Sequence, residues 1–204
     1  MPRRTTPALR RTWLDARPII VAVAGPNGAG KTTFYQAHLE PAGLRFVNAD
    51  VAARELVLEA YDAARVAQEL RRALLAARES FVFETVFSDP AGDKLAFLRR
   101  ASAAGCTVVL CFVGIAGPAV SEARVAMRVS QGGHDVPTSK LTARFRRTMV
   151  NLRRAAAELP HVLVYDNDNI AHPSRLVAEF EGGVLVRPHA VWPAWVRVVW
   201  PDLV

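Results

Sequence analysis

The chain has 204 residues, 51% of them hydrophobic, and a formal net charge of +7 that arginine supplies almost alone, since only three lysines occur. That length suits one domain with a full core, and the composition excludes a disordered chain. No apolar run approaches the roughly 20 residues that cross a bilayer, and the basic stretch at the N-terminus has no apolar segment behind it to make a secretory signal.

In chain order, residues 1–18 read as an N-terminal arm. Ile19–Ala24 is a short β-branched apolar run, which predicts a buried strand. Gly25-Pro26-Asn27-Gly28-Ala29-Gly30-Lys31-Thr32-Thr33 follows it and fits G-x-x-x-x-G-K-[ST], the loop that wraps the phosphates of ATP or GTP. Its glycines let backbone N–H groups turn toward phosphate oxygens, and the N-terminus of the following helix adds partial positive charge there. Lys31 reaches the β/γ-phosphates in this motif, and Thr32 is placed to ligate Mg²⁺. Helical stretches then alternate with apolar runs. Strands are predicted at Leu44–Asn48, Phe81–Glu84, Thr107–Ile115 and Val162–Asp166; helices at Lys31–Leu39, Val51–Arg78 (as two), Asp93–Ala104, Ser121–Val129 and Leu141–Leu159. The alternation implies an α/β P-loop NTPase fold: a parallel sheet of about five strands, helices on both faces, and the ligand at the carboxyl ends of the strands. Residues 19–185 form this domain, with a helical lid around 121–150. Beyond it, Leu176–Phe180 reads as a last helical turn and Val184–Arg187 as a last strand. The Trp/Val-rich 186–204 reads as an extension packed on the domain, with Val191–Trp200 as an edge strand or hairpin.

Cys106 and Cys111 lie five apart on or beside one strand and point to opposite faces, so no disulfide and no metal-ligand spacing is expected. A reduced, cytoplasmic protein without zinc fits this. The positive charge carries no nucleic-acid module with it. Compositional bias toward arginine and arginines facing an anionic small molecule are the two readings that fit, and neither nucleic acid nor membrane is an expected partner.

The polar residues that follow the strands should converge on one rim: Gly25–Thr33, Asn48 and Asp50, Glu84 and Thr85, and Asp166 and Asn167. Asp50 sits where a carboxylate takes the proton of an acceptor hydroxyl, or caps the next helix, or does both. Glu84 would hold metal or a metal-bound water, bind substrate hydroxyls, or cap the following loop. Arg124 and Arg128 lie four apart on one helical face, a glycine pair follows at Gly132-Gly133, and Arg144, Arg146 and Arg147 come next. This pattern suits a lid that brings guanidinium groups over a triphosphate, with Arg128 and Arg144 singled out; solvated amphipathic helices are the alternative for most of these arginines.

Taken together, GPNGAGKTT at Gly25–Thr33, NAD at Asn48–Asp50, SFVFETVFSDP at Ser80–Pro90, RVAMRVSQGGHDVP at Arg124–Pro137, NL at Asn151–Leu152 and VYDNDN at Val164–Asn169 resemble the zeta-toxin family of P-loop kinases, in its short chromosomal branch. The resemblance implies transfer of the γ-phosphoryl of ATP, with Mg²⁺, to the 3′-hydroxyl of UDP-N-acetylglucosamine, and an antitoxin protein as partner. It implies Asp50 as catalytic base, Lys31 as the phosphate-loop lysine and Thr32 as metal ligand. Glu84 becomes a substrate or metal contact, Arg128 and Arg144 the phosphate clamp, and Asp166–Asn167 the border of the adenine. Asn48 and Thr85 fall beside the acceptor. The sequence departs from the family after the acid: Thr85 and Val86 stand where the family has glycine and threonine. A P-loop kinase for another hydroxyl acceptor, or an NTP-binding regulatory module with slow hydrolysis, are the competing functions.

Overall fold

The computed structural model describes residues 12–56, 59–130, 138–169, 171–188 and 191–203. Most of the arm expected over 1–18 and the centre of the lid, 131–137, lie outside them. The fold is an α/β P-loop NTPase fold around a seven-stranded sheet. Its elements are β1 Ile19–Ala24, α1 Lys31–His38, β2 Arg45–Val47, α2 Ala49–Leu56, α3 Ala60–Ala76, β3 Phe81–Thr85, α4 Asp93–Ala103, β4 Thr107–Gly114, α5 Pro118–Ser130, α6 Thr138–Glu158, β5 His161–Asp166, β6 Arg175–Glu181, β7 Val184–Pro188 and α7 Ala194–Val199.

The strand order is β2-β3-β1-β4-β5-β6-β7. The first five strands are parallel, and β6 and β7 add an antiparallel hairpin. All six residues of β1 are buried because both faces of the sheet are covered, which is why this strand reads as an unbroken apolar run. Ile20, Ala22 and Ala24 join one core with α3, α4, α6 and α7, while Ile19, Val21 and Val23 join the other with Phe34 and Tyr35 of α1. The chain leaves β1 toward β2 and β3 and later returns to β4 on its other side. The carboxyl end of β1 is therefore a topological switch point, where such folds open a crevice.

Two expectations are corrected. Leu176–Phe180 is strand, not helical turn: β6 pairs antiparallel with β5 and turns into β7 through Gly182-Gly183, whose φ values of 54° and 87° suit a tight two-residue hairpin. Val191–Trp200 is neither edge strand nor hairpin. It holds α7, which opens after Pro193 and buries Trp195, Val196 and Val199, with Trp192 and Trp200 buried just beyond its two ends. That spacing is a helical stripe, and packing of five large side chains overrides the β preference of valine and tryptophan. These residues belong to the same core as β1. Among the described residues no helix is long and apolar enough to cross a membrane.

Candidate active site

The phosphate loop begins at Gly25, where φ is 151° and a Cβ would stand 2.1 Å from the Val113 carbonyl oxygen of β4. Only glycine lets β1 turn here against its neighbouring strand. The loop ends at Gly30, a left-handed N-cap residue that has no side chain to cap the first turn of α1. That is the geometry of an anion seat. Lys31 is 7% exposed, and its Nζ donates to the Pro26 carbonyl at 3.1 Å.

Glu84 links this loop to the neighbouring strands. β3 runs parallel to β1 with Glu84 beside Val23, so the carboxylate emerges next to the loop. Its Oε2 accepts from the Thr32 hydroxyl at 2.8 Å and from Asn48 Nδ2 at 2.9 Å, and its Oε1 lies 3.9 Å from Lys31 Nζ. A hydroxyl paired with a carboxylate is a hard-oxygen donor set that fits Mg²⁺, which takes one or two protein oxygens and completes its shell with water and phosphate. Among the described residues no group of three or more His, Cys, Asp or Glu stands ready as a metal cage.

Asp50 stands in the first turn of α2, exposed. The cap is Asn48: its Oδ1 accepts the Asp50 N–H at 2.7 Å and its carbonyl accepts the Ala52 N–H. The Asp50 carboxylate is thereby left out of capping, and it has no partner among the described residues. Thr85 Oγ1 accepts the Phe87 N–H at 3.1 Å, closing the turn after β3.

Asp166 and Asn167 part company. Asn167 reaches the phosphate loop, with Nδ2 donating to the Ala29 carbonyl at 2.8 Å; a Cβ on Gly30 would lie 2.6 Å from that Nδ2. Asp166, 4% exposed, turns away and accepts from the Trp195 indole at 2.9 Å and from Arg175 at 3.1 Å. Both its oxygens are occupied by side chains of the fold. Arg128 lies in the last turns of α5 and its side chain is outside the described set, while Arg144 is half-buried on α6.

Sequence reasoning singled out neither Ser121 nor Arg124, yet both touch the loop. Ser121 Oγ donates to the Asn27 carbonyl at 2.7 Å, and Arg124 donates to the Gly28 carbonyl at 3.5 Å and to those of Asn167 and Asp168 at 3.0 and 3.1 Å. The signal was the spacing of Arg124 from Arg128, which fixed a shared helical face and not what that face met.

A parallel sheet with the 2-3-1-4-5 order, a glycine loop at the switch point and a hydroxyl–carboxylate pair beside it define a nucleotide-binding P-loop protein of kinase-like fold. The chain belongs to the AAA domain family AAA_33, whose model matches residues 20–152. No curated protein matches it. Among solved structures it is similar to the AvrRxo1-ORF1:-ORF2 complex with ATP, at TM-score 0.66 and 19% identity, over 93% of this chain and 66% of that one. It is similar to the PezAT chromosomal toxin–antitoxin system of Streptococcus pneumoniae, at TM-score 0.60 and 16% identity, over 80% of this chain and 72% of that one. A third is a candidate kinase from Chloroflexus aurantiacus, at TM-score 0.53 and 19% identity, over 75% and 90% of the two chains. The chain thus spans just under two thirds of the length of the first, and at these identities the likeness is one of fold.

Proposed function

We propose that the protein is an ATP-dependent kinase of the zeta-toxin kind that phosphorylates a sugar hydroxyl, the 3′-hydroxyl of UDP-N-acetylglucosamine. The observation that carries this reading is the division of labour between two carboxylates on one rim. Glu84 is bound to Thr32 beside the phosphate loop, while the carboxylate of Asp50, two residues from Glu84's partner Asn48, has no partner among the described residues. Thr32 and Glu84 would hold Mg²⁺, which supplies charge neutralisation for the phosphates. Lys31 exchanges the Pro26 carbonyl for phosphate oxygens. Asp50 takes the proton of the acceptor hydroxyl as that oxygen bonds to the γ-phosphorus, the bond to the β–γ bridging oxygen breaks, and ADP departs; the proton then passes from Asp50 to solvent. Arg128 and Arg144, on the two lid helices, supply the guanidinium charge for the transferring phosphoryl group. Asn167 borders the nucleotide from the β5 side, and Asn48 and Thr85 flank the acceptor. A protein partner of the antitoxin kind belongs to the same reading, supported by the naming of the PezAT neighbour as a toxin–antitoxin system.

The test is direct. The protein is incubated with ATP, Mg²⁺ and UDP-N-acetylglucosamine, and the products are resolved by mass spectrometry. A phosphorylated sugar nucleotide is expected. Asp50→Asn lowers turnover by about 10²–10⁴-fold and leaves ATP affinity unchanged. Full activity in Asp50→Asn removes the base assignment; no product from the native protein, with ATP still bound, removes this acceptor.

A further inference from the structure

Two loops on the rim are held by their carbonyls. In the phosphate loop, three consecutive carbonyls accept side-chain donors: Asn27 from Ser121 Oγ at 2.7 Å, Gly28 from Arg124 at 3.5 Å and Ala29 from Asn167 Nδ2 at 2.8 Å. In the loop after β3, four consecutive carbonyls do the same. Val86 accepts from Thr148 Oγ1 at 2.9 Å, Phe87 from Asn151 Nδ2 at 3.0 Å, Ser88 from Arg147 Nε at 2.8 Å, and Asp89 from Asn151 Nδ2 at 3.1 Å. Ser121 and Arg124 belong to α5; Arg147, Thr148 and Asn151 belong to α6. Each helix thus grips one loop.

The second grip enforces an unusual shape. Phe87 is 1% exposed and has φ 62°, a left-handed conformation that bulky residues avoid. Such strain persists where the surroundings over-determine it, and it concentrates at ligand clamps. Thr148 and Asn151 are themselves buried, at 0% and 4% exposed, so their donors are fixed in place. Because a peptide is planar, carbonyls held toward α6 turn the N–H groups of Ser88 and Asp89 away from it. The loop therefore offers backbone donors from a rigid frame.

The topology assigns the two loops to different ligands. The phosphate loop leans on α5 and Asn167, on the β4–β5 side of β1. The β3 loop adjoins Glu84 and Thr85, on the β2–β3 side where Asp50 stands. We infer that Arg147, Thr148 and Asn151 are positioning residues for the phosphoryl acceptor, holding 86–89 in the shape that receives its hydroxyl and anionic groups, while Ser121 and Arg124 hold the phosphate loop for the nucleotide. This rests on the kinase reading above. It adds that one helical pair serves both substrates through separate contacts, and that changes at Arg147, Thr148 or Asn151 alter the acceptor alone.

The experiment compares Thr148→Val, which keeps shape and removes the hydroxyl donor, with Thr148→Ser, which restores it, and with Ser121→Ala on the other helix. Turnover is measured with ATP and UDP-N-acetylglucosamine, each varied in turn, and hydrogen exchange is followed over 25–33 and 81–92. Thr148→Val is expected to raise the acceptor KM about tenfold, in line with loss of one buried hydrogen bond, with the ATP KM unchanged. Thr148→Ser returns it to the native value, and Ser121→Ala raises the ATP KM alone. Should the valine variant not fold, Arg147→Lys, at a half-buried position, carries the same expectation. A joint rise of both KM values, or no rescue by serine, overturns the inference. If the native protein forms no product, the kinase reading fails by itself and exchange decides the bracing. Faster exchange confined to 86–92 in Thr148→Val supports it, and a uniform rise across both segments refutes it.

Discussion

Glu84 commits Oε2 to the Thr32 hydroxyl and the Asn48 amide and turns Oε1 toward Lys31, with the two ionic side chains only 8% and 13% exposed. The arrangement holds Lys31 and Thr32 at the loop before any phosphate arrives. A carboxylate in that place also opposes a triphosphate, and the opposition ends when a divalent cation sits between them. Glu84→Gln keeps the volume and removes the charge, so its effect is specific. Metal-free ATP is expected to bind at least as tightly as to the native protein, and the enhancement of binding by Mg²⁺ falls by about 10–100-fold. Titration of ATP with and without Mg²⁺ checks this; an unchanged Mg²⁺ enhancement removes Glu84 from the metal site. Lys31→Ala removes the charge that, on the proposed kinase reading, meets the phosphates. It also leaves Glu84 in a poorly exposed position without its ion-pair partner, so ATP affinity and stability both fall, and added nucleotide raises Tm much less than in the native protein.

At the scale of elements, the end of β4 and the helix α7 are fitted to each other. A Cβ on Gly114 would lie 2.3 Å from the Trp195 ring, and the same indole donates to Asp166 at the end of β5. The final helix therefore locks the carboxyl ends of two central strands, next to the backbone bond from Asn167 N–H to the Gly114 carbonyl. Gly114→Ala forces Trp195 out of its seat and is expected to cost about 1–3 kcal/mol from overpacking. Trp195→Phe preserves much of the apolar contact but leaves Asp166 Oδ1 without its donor, at a similar cost of about 1–3 kcal/mol. Urea unfolding of both variants measures these losses, and a variant within experimental error of the native protein would show that the contact is dispensable. Much of the fold was legible beforehand. The run Ile19–Ala24 and the glycine loop fixed β1 and α1, and the alternation after them placed the parallel strands within one or two residues. The errors lie where long-range packing outweighs local preference. Gly182-Gly183 between apolar runs was a hairpin signal for β6 and β7, and the 192, 195, 196, 199, 200 stripe was a helical period beneath β-favouring residue types. Within the candidate site, the convergence of Lys31, Thr32, Asn48 and Glu84 could be read from strand ends. The side-chain grips on carbonyls by Ser121, Arg147, Thr148 and Asn151 could not, because nothing local marks which backbone oxygen a distant side chain will meet.

For the whole molecule, the seam between the parallel half of the sheet and the antiparallel hairpin lies between β5 and β6, and His161 opens β5 there, opposite Glu181. Burial pushes the His161 imidazole below its ordinary value, against the smaller opposing pull of Glu181 and Glu179, and Glu179 is itself within 3.8 Å of Arg187 on β7. The folded protein therefore favours neutral His161 more than the unfolded chain does. Between the folded value and the unfolded value near 6.5, the unfolded chain binds more protons, so stability rises with pH across that window. The contribution is complete above about pH 6.5 and is lost as pH falls through the folded value. His161→Gln, which cannot be protonated, is expected to flatten the dependence of the urea midpoint on pH just below 6.5. A native profile already flat across that window, or a variant as steep as the native protein, would place the pH sensitivity of the fold elsewhere than this seam.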